Sequence, residues 1–329
     1  MGRASSALGA GEFVTATVAA DRTGAREREE LPQVVRRFVE TDLQADVVHA
    51  FDLVSAVVAL AAGRSRGWSV VVRAQLAGAP ASETARRLWP VALRAADLVA
   101  VPTSEDAALA RAYGASASRI VLCPDVALLA AEECASSGAL QDGPVGAAED
   151  EHHRLVGLSG APADRTTRSE LVRTLVTSPQ ARLLLLSPSQ ADRPHREELG
   201  RLAARHGVDS RLELRGRTDR EDMLSVVRDA QAVIATRSDP TSALSALVAM
   251  HCAKPVIGVQ SAAMGEVQID GVTGRLVPPR RLASAVRETL TDEFRLLAWG
   301  FAGFDRVSTR YSPEQVGRSI TGAYDRVAS

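Results

Sequence analysis

Net charge, cysteine, lysine and long apolar runs are all scarce in this sequence. Its 329 residues carry 39 Lys and Arg against 40 Asp and Glu, a net charge of −1, with no long run of one sign. Electrostatics alone therefore builds no polyanion-binding face, and nucleic acid is not an expected partner. Cys123, Cys134 and Cys252 are scattered without CxxC spacing. That argues against a disulfide framework or a metal site and fits reduced thiols. The longest apolar stretch, Leu53 to Ala62, falls far short of the roughly 20 residues that span a bilayer. No apolar block follows Arg3, so no secretory leader is expected and the cytoplasm is the default location. Lys254 is the only lysine; arginine supplies the rest of the positive charge. GxSxG, HExxH and the Walker-type GxxxxGKS/T are missing as well, which leaves hydrolase, metalloprotease and P-loop chemistry without residues.

What is present is a repeated alternation. Short β-branched runs at 14–18, 46–51, 69–75, 98–103 and 119–124 alternate with Ala/Leu/Arg stretches of helical period at 83–96 and 105–113. The second of these helices reads as capped by Ser104 and closed by Gly114. Residues 130–153 lose periodicity and gather Ser, Gly, Asp and Glu, the composition of a linker. The alternation then resumes with strands at 154–158, 182–187, 211–215, 232–236 and 255–259, and a helix from Pro313 to Val327 ends the chain. The predicted class is α/β, two doubly wound parallel-sheet domains.

The stretch from Ser238 to Gly258 carries the most specific signal. It resembles the loop-helix-strand of retaining GT-B glycosyltransferases of the family-four kind, whose pattern reads roughly E-P-F-G-L-V-A-L-E-A-M-A-C-G-K-P-V. Leu244, Ala246, Leu247, Ala249, Met250, Cys252 and Lys254-Pro255-Val256 keep register, while the two Glu positions hold Pro240 and Val248. A second match is Glu266 to Pro279, close to the family's P-E-V-V-x-D-G-x-T-G-x-L-V. The resemblance implies two Rossmann-like domains: 1–130 on the acceptor side, 131–153 as linker, 154–310 of nucleotide-sugar-binding type, and 311–329 as a helix crossing back. In that frame the first domain reads as truncated, because Gly9 to Val18 matches only a later strand of the family and the opening glycine turn is missing.

The resemblance also assigns roles. Glu266, Asp239 and Gln75 are the candidates beside the transferred sugar. Glu266 is an acid kept in place, Asp239 lies one residue from a lost one, and Gln75 stands where the family has a histidine. His49 fits the P-D-V-V-H-A-H pattern, whose later histidine is replaced by Phe51. Arg165 or Arg168 stands in for the family's diphosphate Arg and Lys, Leu158 occupying the Arg position. The amides of Ser242 and Ala243 open a helix and offer an anion site. Val248 takes the place of the carboxylate that holds the ribose, and an aliphatic side chain has no acceptor to offer. No cofactor or metal is expected; the implied donor is a nucleoside diphosphate sugar, and the implied acceptor is a glycan or lipid-linked. Two readings follow: a transferase of weak or lost activity, or an inactive pseudoenzyme that binds or stabilises a protein partner such as a complete glycosyltransferase. Arg86 to Arg94 mixes basic and apolar residues and is the stretch a membrane surface would meet, though an ordinary packed helix has the same pattern.

Overall fold

The computed structural model describes residues 2–3, 14–15, 45–77, 82–124, 153–187, 192–216, 218–237 and 240–328. Contacts divide the chain into two units, residues 1–124 with 314–329, and residues 125–313. The expected linker 131–153 lies outside the described residues except for His153, which opens a strand. The expected truncation likewise falls on residues outside them; a short antiparallel pair, β1 (Gly2–Arg3) with β2 (Val14–Thr15), is described there.

In the first unit β3 (Val47–Ala50), β4 (Ser69–Arg73), β5 (Leu98–Val101) and β6 (Ile120–Leu122) form a parallel sheet in sequence order. Helices α1 (Leu53–Arg66), α2 (Glu83–Ala95) and α3 (Ser104–Ala112) make the crossovers. Val70, Val72, Val99 and Val101 pack with Ala56, Ala59, Leu93, Ala107 and Ala110 into one core. The cap of α3 is Thr103 rather than the expected Ser104, because the Thr103 hydroxyl accepts the Asp106 N–H. Strand β4 ends at Arg73, two residues short of the expected end, so Gln75 lies in an exposed loop.

The second unit is a six-stranded parallel sheet in the order β12 (Gly274–Val277), β11 (Val256–Val259), β10 (Ala232–Ala235), β7 (His153–Gly157), β8 (Ala181–Leu186) and β9 (Leu212–Arg215). Its helices are α4 (Arg165–Thr177), α5 (Arg193–Arg205), α6 (Arg220–Arg228), α7 (Pro240–His251), α8 (Ala262–Val267), α9 (Leu282–Leu290) and α10 (Glu293–Arg310). The order reverses between β7 and β10, and in such sheets the crevice beyond the carboxyl ends at the reversal is where ligands bind. The last helix, α11 (Pro313–Ala328), belongs with the first unit from residue 314 on. No helix among the described residues is long and apolar enough to cross a membrane.

Helix α7 ends in a Schellman motif: the Lys254 N–H donates to Ala249 O at 2.9 Å and the Ala253 N–H to Met250 O at 2.9 Å. The position that wants glycine holds Ala253, at φ 52°. An L-residue there is strained by about 1–2 kcal/mol, and glycine's extra backbone entropy returns roughly 0.5–1 of it. Ala253→Gly should therefore stabilise the fold by about 0.5–1 kcal/mol, measured by urea unfolding; an unchanged or lower stability would contradict the strain.

Candidate functional site

The reversal point is built from two loops. The first, leaving β7, is buried from Leu158 to Pro162 and turns at Gly160 with φ 76°. A Cβ on Gly160 would lie 2.2 Å from Asp192 Oδ2, so only glycine fits. Asp192, 6% exposed, holds the loop: its Oδ2 accepts the Ala161 N–H at 3.2 Å and its Oδ1 accepts the Ser187 hydroxyl. The Arg196 guanidinium lies 3.6 Å from the same carboxylate. Ser159 Oγ is buried in this loop with no hydrogen-bond partner.

Arg168 braces the loop from the helix side. Its Nη1 donates to Pro162 O at 2.8 Å and Ala163 O at 2.5 Å, and its Nη2 meets Glu198 Oε2 at 2.9 Å. With its side chain 7% exposed and both terminal nitrogens engaged, Arg168 is withdrawn from the phosphate role expected of it. Arg165, first residue of α4, is exposed. Directly before it the exposed Asp164 caps the helix, accepting the Thr167 hydroxyl and N–H, both at 2.7 Å. The Thr167 hydroxyl, then the backbone amides, hold the Asp164 carboxyl below the usual carboxylate range. The start of α4 thus carries a fixed negative charge where an anion would need a positive one.

The second loop leaves β10. Asp239 lies outside the described residues, and Pro240 begins α7. Ser242 is fully buried and its hydroxyl accepts the Arg237 N–H at 2.9 Å, so that hydroxyl is spent folding the loop onto the helix. Ala243 is 6% exposed, which leaves Thr241 as an exposed residue of the first turn. Val248 is 1% exposed within α7. Beyond β11, Ser261 caps α8, on which Glu266 sits; the Glu266 carbonyl accepts from Arg306 Nη2 at 2.7 Å and Tyr311 OH at 3.0 Å. Arg237, half-buried at the carboxyl end of β10, is the cation that sequence reasoning missed here. Its signal was its place directly after the run Ala232 to Thr236. Topology thus gathers Arg165, Ser242, Ala243 and Glu266 in the segments that follow three adjacent strands, β7, β10 and β11, while Val248 lies two turns further along α7.

The model described as Glycosyl transferases group 1 matches residues 169–292, and that described as Glycosyl transferase 4-like domain matches residues 4–125. The chain belongs to the group 1 GT-B glycosyltransferases. Among solved structures this glycosyltransferase resembles the sucrose-phosphate synthase of Thermosynechococcus elongatus, with 22% identity over 91% of this chain and 79% of that one and a TM-score of 0.72. It resembles the Anabaena protein HepE, solved with UDP and glucose, with 18% identity over 89% and 82% and a TM-score of 0.73. A glycosyltransferase from Rickettsia africae gives 13% identity over 94% and 83%, with a TM-score of 0.68. At such identities the likeness is one of fold. No curated protein matches the sequence.

On the first unit of this glycosyltransferase, Gln75 is exposed beyond β4, and the next two amides, Leu76 and Ala77, donate to Asp106 Oδ1 at 2.6 and 2.7 Å. Asp106 is fully buried and its other oxygen accepts the Thr103 hydroxyl at 2.6 Å. His49 Nδ1 lies 2.6 Å from the Tyr324 hydroxyl of α11, and the Ser69 hydroxyl donates to Val327 O. Burial, and secondarily the Arg73 charge, push the His49 pKa down from 6.5 to about 4; burial pushes Tyr324 up to about 12.

Two measurements check these assignments. Asp192→Ala removes a charged acceptor from the Ala161 amide and the Ser187 hydroxyl, at about 1.5–3 kcal/mol for a charged hydrogen bond. Hydrogen exchange at Ala161 should speed up by one to two decades, and an unchanged rate would show that the carboxylate does not hold the loop. For His49 the neutral form is favoured on folding, so its contribution is complete above pH 6.5 and disappears as pH falls through about 4. The fall is worth about 3 kcal/mol at most. Stability between pH 6.5 and 4 should decline less steeply in His49→Gln than in the parent chain.

Proposed function

We propose that this chain is a nucleotide-sugar-dependent glycosyltransferase of the retaining type whose hold on the donor is loosened, so that sugar transfer is weak or lost. The observation that carries this reading is Val248. It is 1% exposed in α7, at the position where the family resemblance puts the carboxylate for the ribose hydroxyls. Leu158 in place of the diphosphate arginine, the engagement of Arg168 inside its own loop and the Asp164 charge at the start of α4 support it. Arg165 and the first-turn amides of α7 are the groups this reading sets against a diphosphate, with Glu266 beside the sugar. HepE, solved with UDP and glucose, makes uridine diphosphate the first nucleotide to try. The acceptor is a glycan or lipid-linked glycan, and exposed Arg86, Arg87, Val91 and Arg94 of α2 are the face we assign to a membrane surface.

The loss of one charged hydrogen bond costs about 1.5–3 kcal/mol, one to two decades in affinity. Calorimetric titration with UDP, GDP and ADP should give a millimolar dissociation constant for one of them. Micromolar binding would overturn the loosened grip. Absence of heat at millimolar nucleotide would select the inactive alternative, a chain retained for a protein partner.

A further inference from the structure

Helix α5 gathers its arginines on one side. Arg193, Arg196, Glu197, Gly200 and Arg201 recur at spacings of three and four, which sets them on one face of the helix. With Leu214 of β9 they line a groove of about 540 Å³, the size of a small-molecule site. Strand β9 is an edge of its sheet, two places from β7 in the order, so the groove lies apart from the crevice at the reversal. No residue lining it belongs to the loops that leave β7, β10 or β11.

Arg196 is the anomaly in this groove. Its side chain is 17% exposed, its Nε is buried without a hydrogen-bond partner, and its ion-pair contact among the described residues is Asp192 Oδ1 at 3.6 Å, beyond hydrogen-bond range. The Asp192 oxygens are already taken by the Ala161 N–H and the Ser187 hydroxyl. Attraction to the carboxylate therefore orients the guanidinium while its donors stay unused. A largely buried cation in that state calls for an acceptor from outside. Arg193 and Arg201 stand beside it. Each spends its Nε on Glu197, Arg193 on the carboxylate at 2.9 Å and Arg201 on the carbonyl at 3.3 Å, and both keep their terminal nitrogens for other partners. Glu197 is the single carboxylate lining the groove, so the arginines outnumber it three to one.

The floor of the groove is apolar. A Cβ on Gly200 would lie 3.8 Å from a Leu214 methyl, so a larger side chain at 200 would cover that leucine. Glycine weakens a helix interior relative to alanine, and what it leaves open here is the half-buried Leu214 beside the arginines. Guanidinium forks take phosphoryl oxygens in pairs, and a leucine surface takes carbon. Together they describe a ligand with a phosphoryl group at one end and an apolar body at the other.

We propose that the groove between α5 and β9 binds a small organic phosphate, its phosphoryl group on Arg193, Arg196 and Arg201 and its carbon body on Leu214 at Gly200. The site stands apart from the donor assignment, and either fails without the other. Titration of the isotope-labelled full chain with phenyl phosphate and with inorganic phosphate tests it, at about pH 8, where a phosphoryl group is dianionic. Amide shifts at Gly200 and Leu214 should follow phenyl phosphate with a dissociation constant in the millimolar range or below. Inorganic phosphate, which lacks the body, should bind about tenfold more weakly. Arg196→Gln should weaken phenyl phosphate about tenfold or more, with circular dichroism checking that the variant is folded. Gly200→Leu favours the helix and keeps all three arginines, yet should erase the preference for phenyl phosphate over inorganic phosphate. Equal binding of the two ligands by the parent chain, unchanged binding in Arg196→Gln, or a preference that survives Gly200→Leu would overturn the site. So would shifts confined to Ser242 and Ala243, which would put the phosphate in the crevice, or no shift at Gly200 and Leu214 at tens of millimolar.

Discussion

A carboxylate set against the amides of a loop leaving a parallel strand is the interaction on which both units depend. Asp106 does this for the loop after β4, and Asp192 for the loop after β7. In each case a hydroxyl, Thr103 or Ser187, takes up a remaining lone pair, so the buried charge is solvated by protein groups rather than stranded. The gain is a rigid loop at the ligand-binding edge of a sheet. The cost is electrostatic: amides that could have turned to an incoming anion already face a carboxylate. In the second unit the same logic extends to Asp164 at the start of α4 and to Arg168, whose guanidinium is absorbed by two loop carbonyls and Glu198.

The legibility of the chain follows from the range of the interactions involved. Strands buried on both faces write themselves as continuous apolar runs. Val70 to Val72, Leu98 to Val101 and Val256 to Val259 were readable because every residue obeys the same rule. The α/β class was legible for the same reason, and the family through the resemblance carried by Ser238 to Gly258 and Glu266 to Pro279. Local caps were readable only to within a residue, as Thr103 displacing Ser104 shows, since both types cap and only the backbone angle decides. Arg168 was not readable at all. Its partners Pro162 and Ala163 lie in a loop whose path depends on Asp192, and Glu198 is 30 residues away. An arginine near a helix start offers the same letter whether it faces a phosphate or its own backbone.

The first unit shows how a face of a sheet becomes polar without being wasted. Val70 and Val72 turn to the core, while Ser69 and Arg73 alternate with them on the same strand, and His49 pairs in register with Val71. Helix α11 meets that other face through Tyr324 and Val327. A helix some 250 residues later in the chain covers it, and burial then drives His49 to its neutral form and Tyr324 to its protonated one. These two groups, uncharged, meet edge to face and share a hydrogen bond without a desolvation penalty for an ion.

Helix α7 bears on the reading proposed for the donor side. From Ala246 to Met250 every residue is buried, so the helix is enclosed on nearly all sides. A glutamate at 248 in such a setting is tolerable only while a ribose or another donor satisfies it; unliganded, a buried carboxylate costs several kcal/mol. A valine there contributes about 1.5–3 kcal/mol of burial without any ligand. In a chain that holds its nucleotide loosely, as proposed, the apolar side chain is the more stable solution. Pro240 at the opening of the same helix fits this direction, since a first-turn proline fixes φ where no N–H is needed. Ala253 does not, because it strains the helix end with no packing gain that the structure reveals. On the proposed reading, the apolar residues inside the helix stand for ligand-independent packing in place of a ligand-dependent charge, which is the physical sense a loosened donor grip would have.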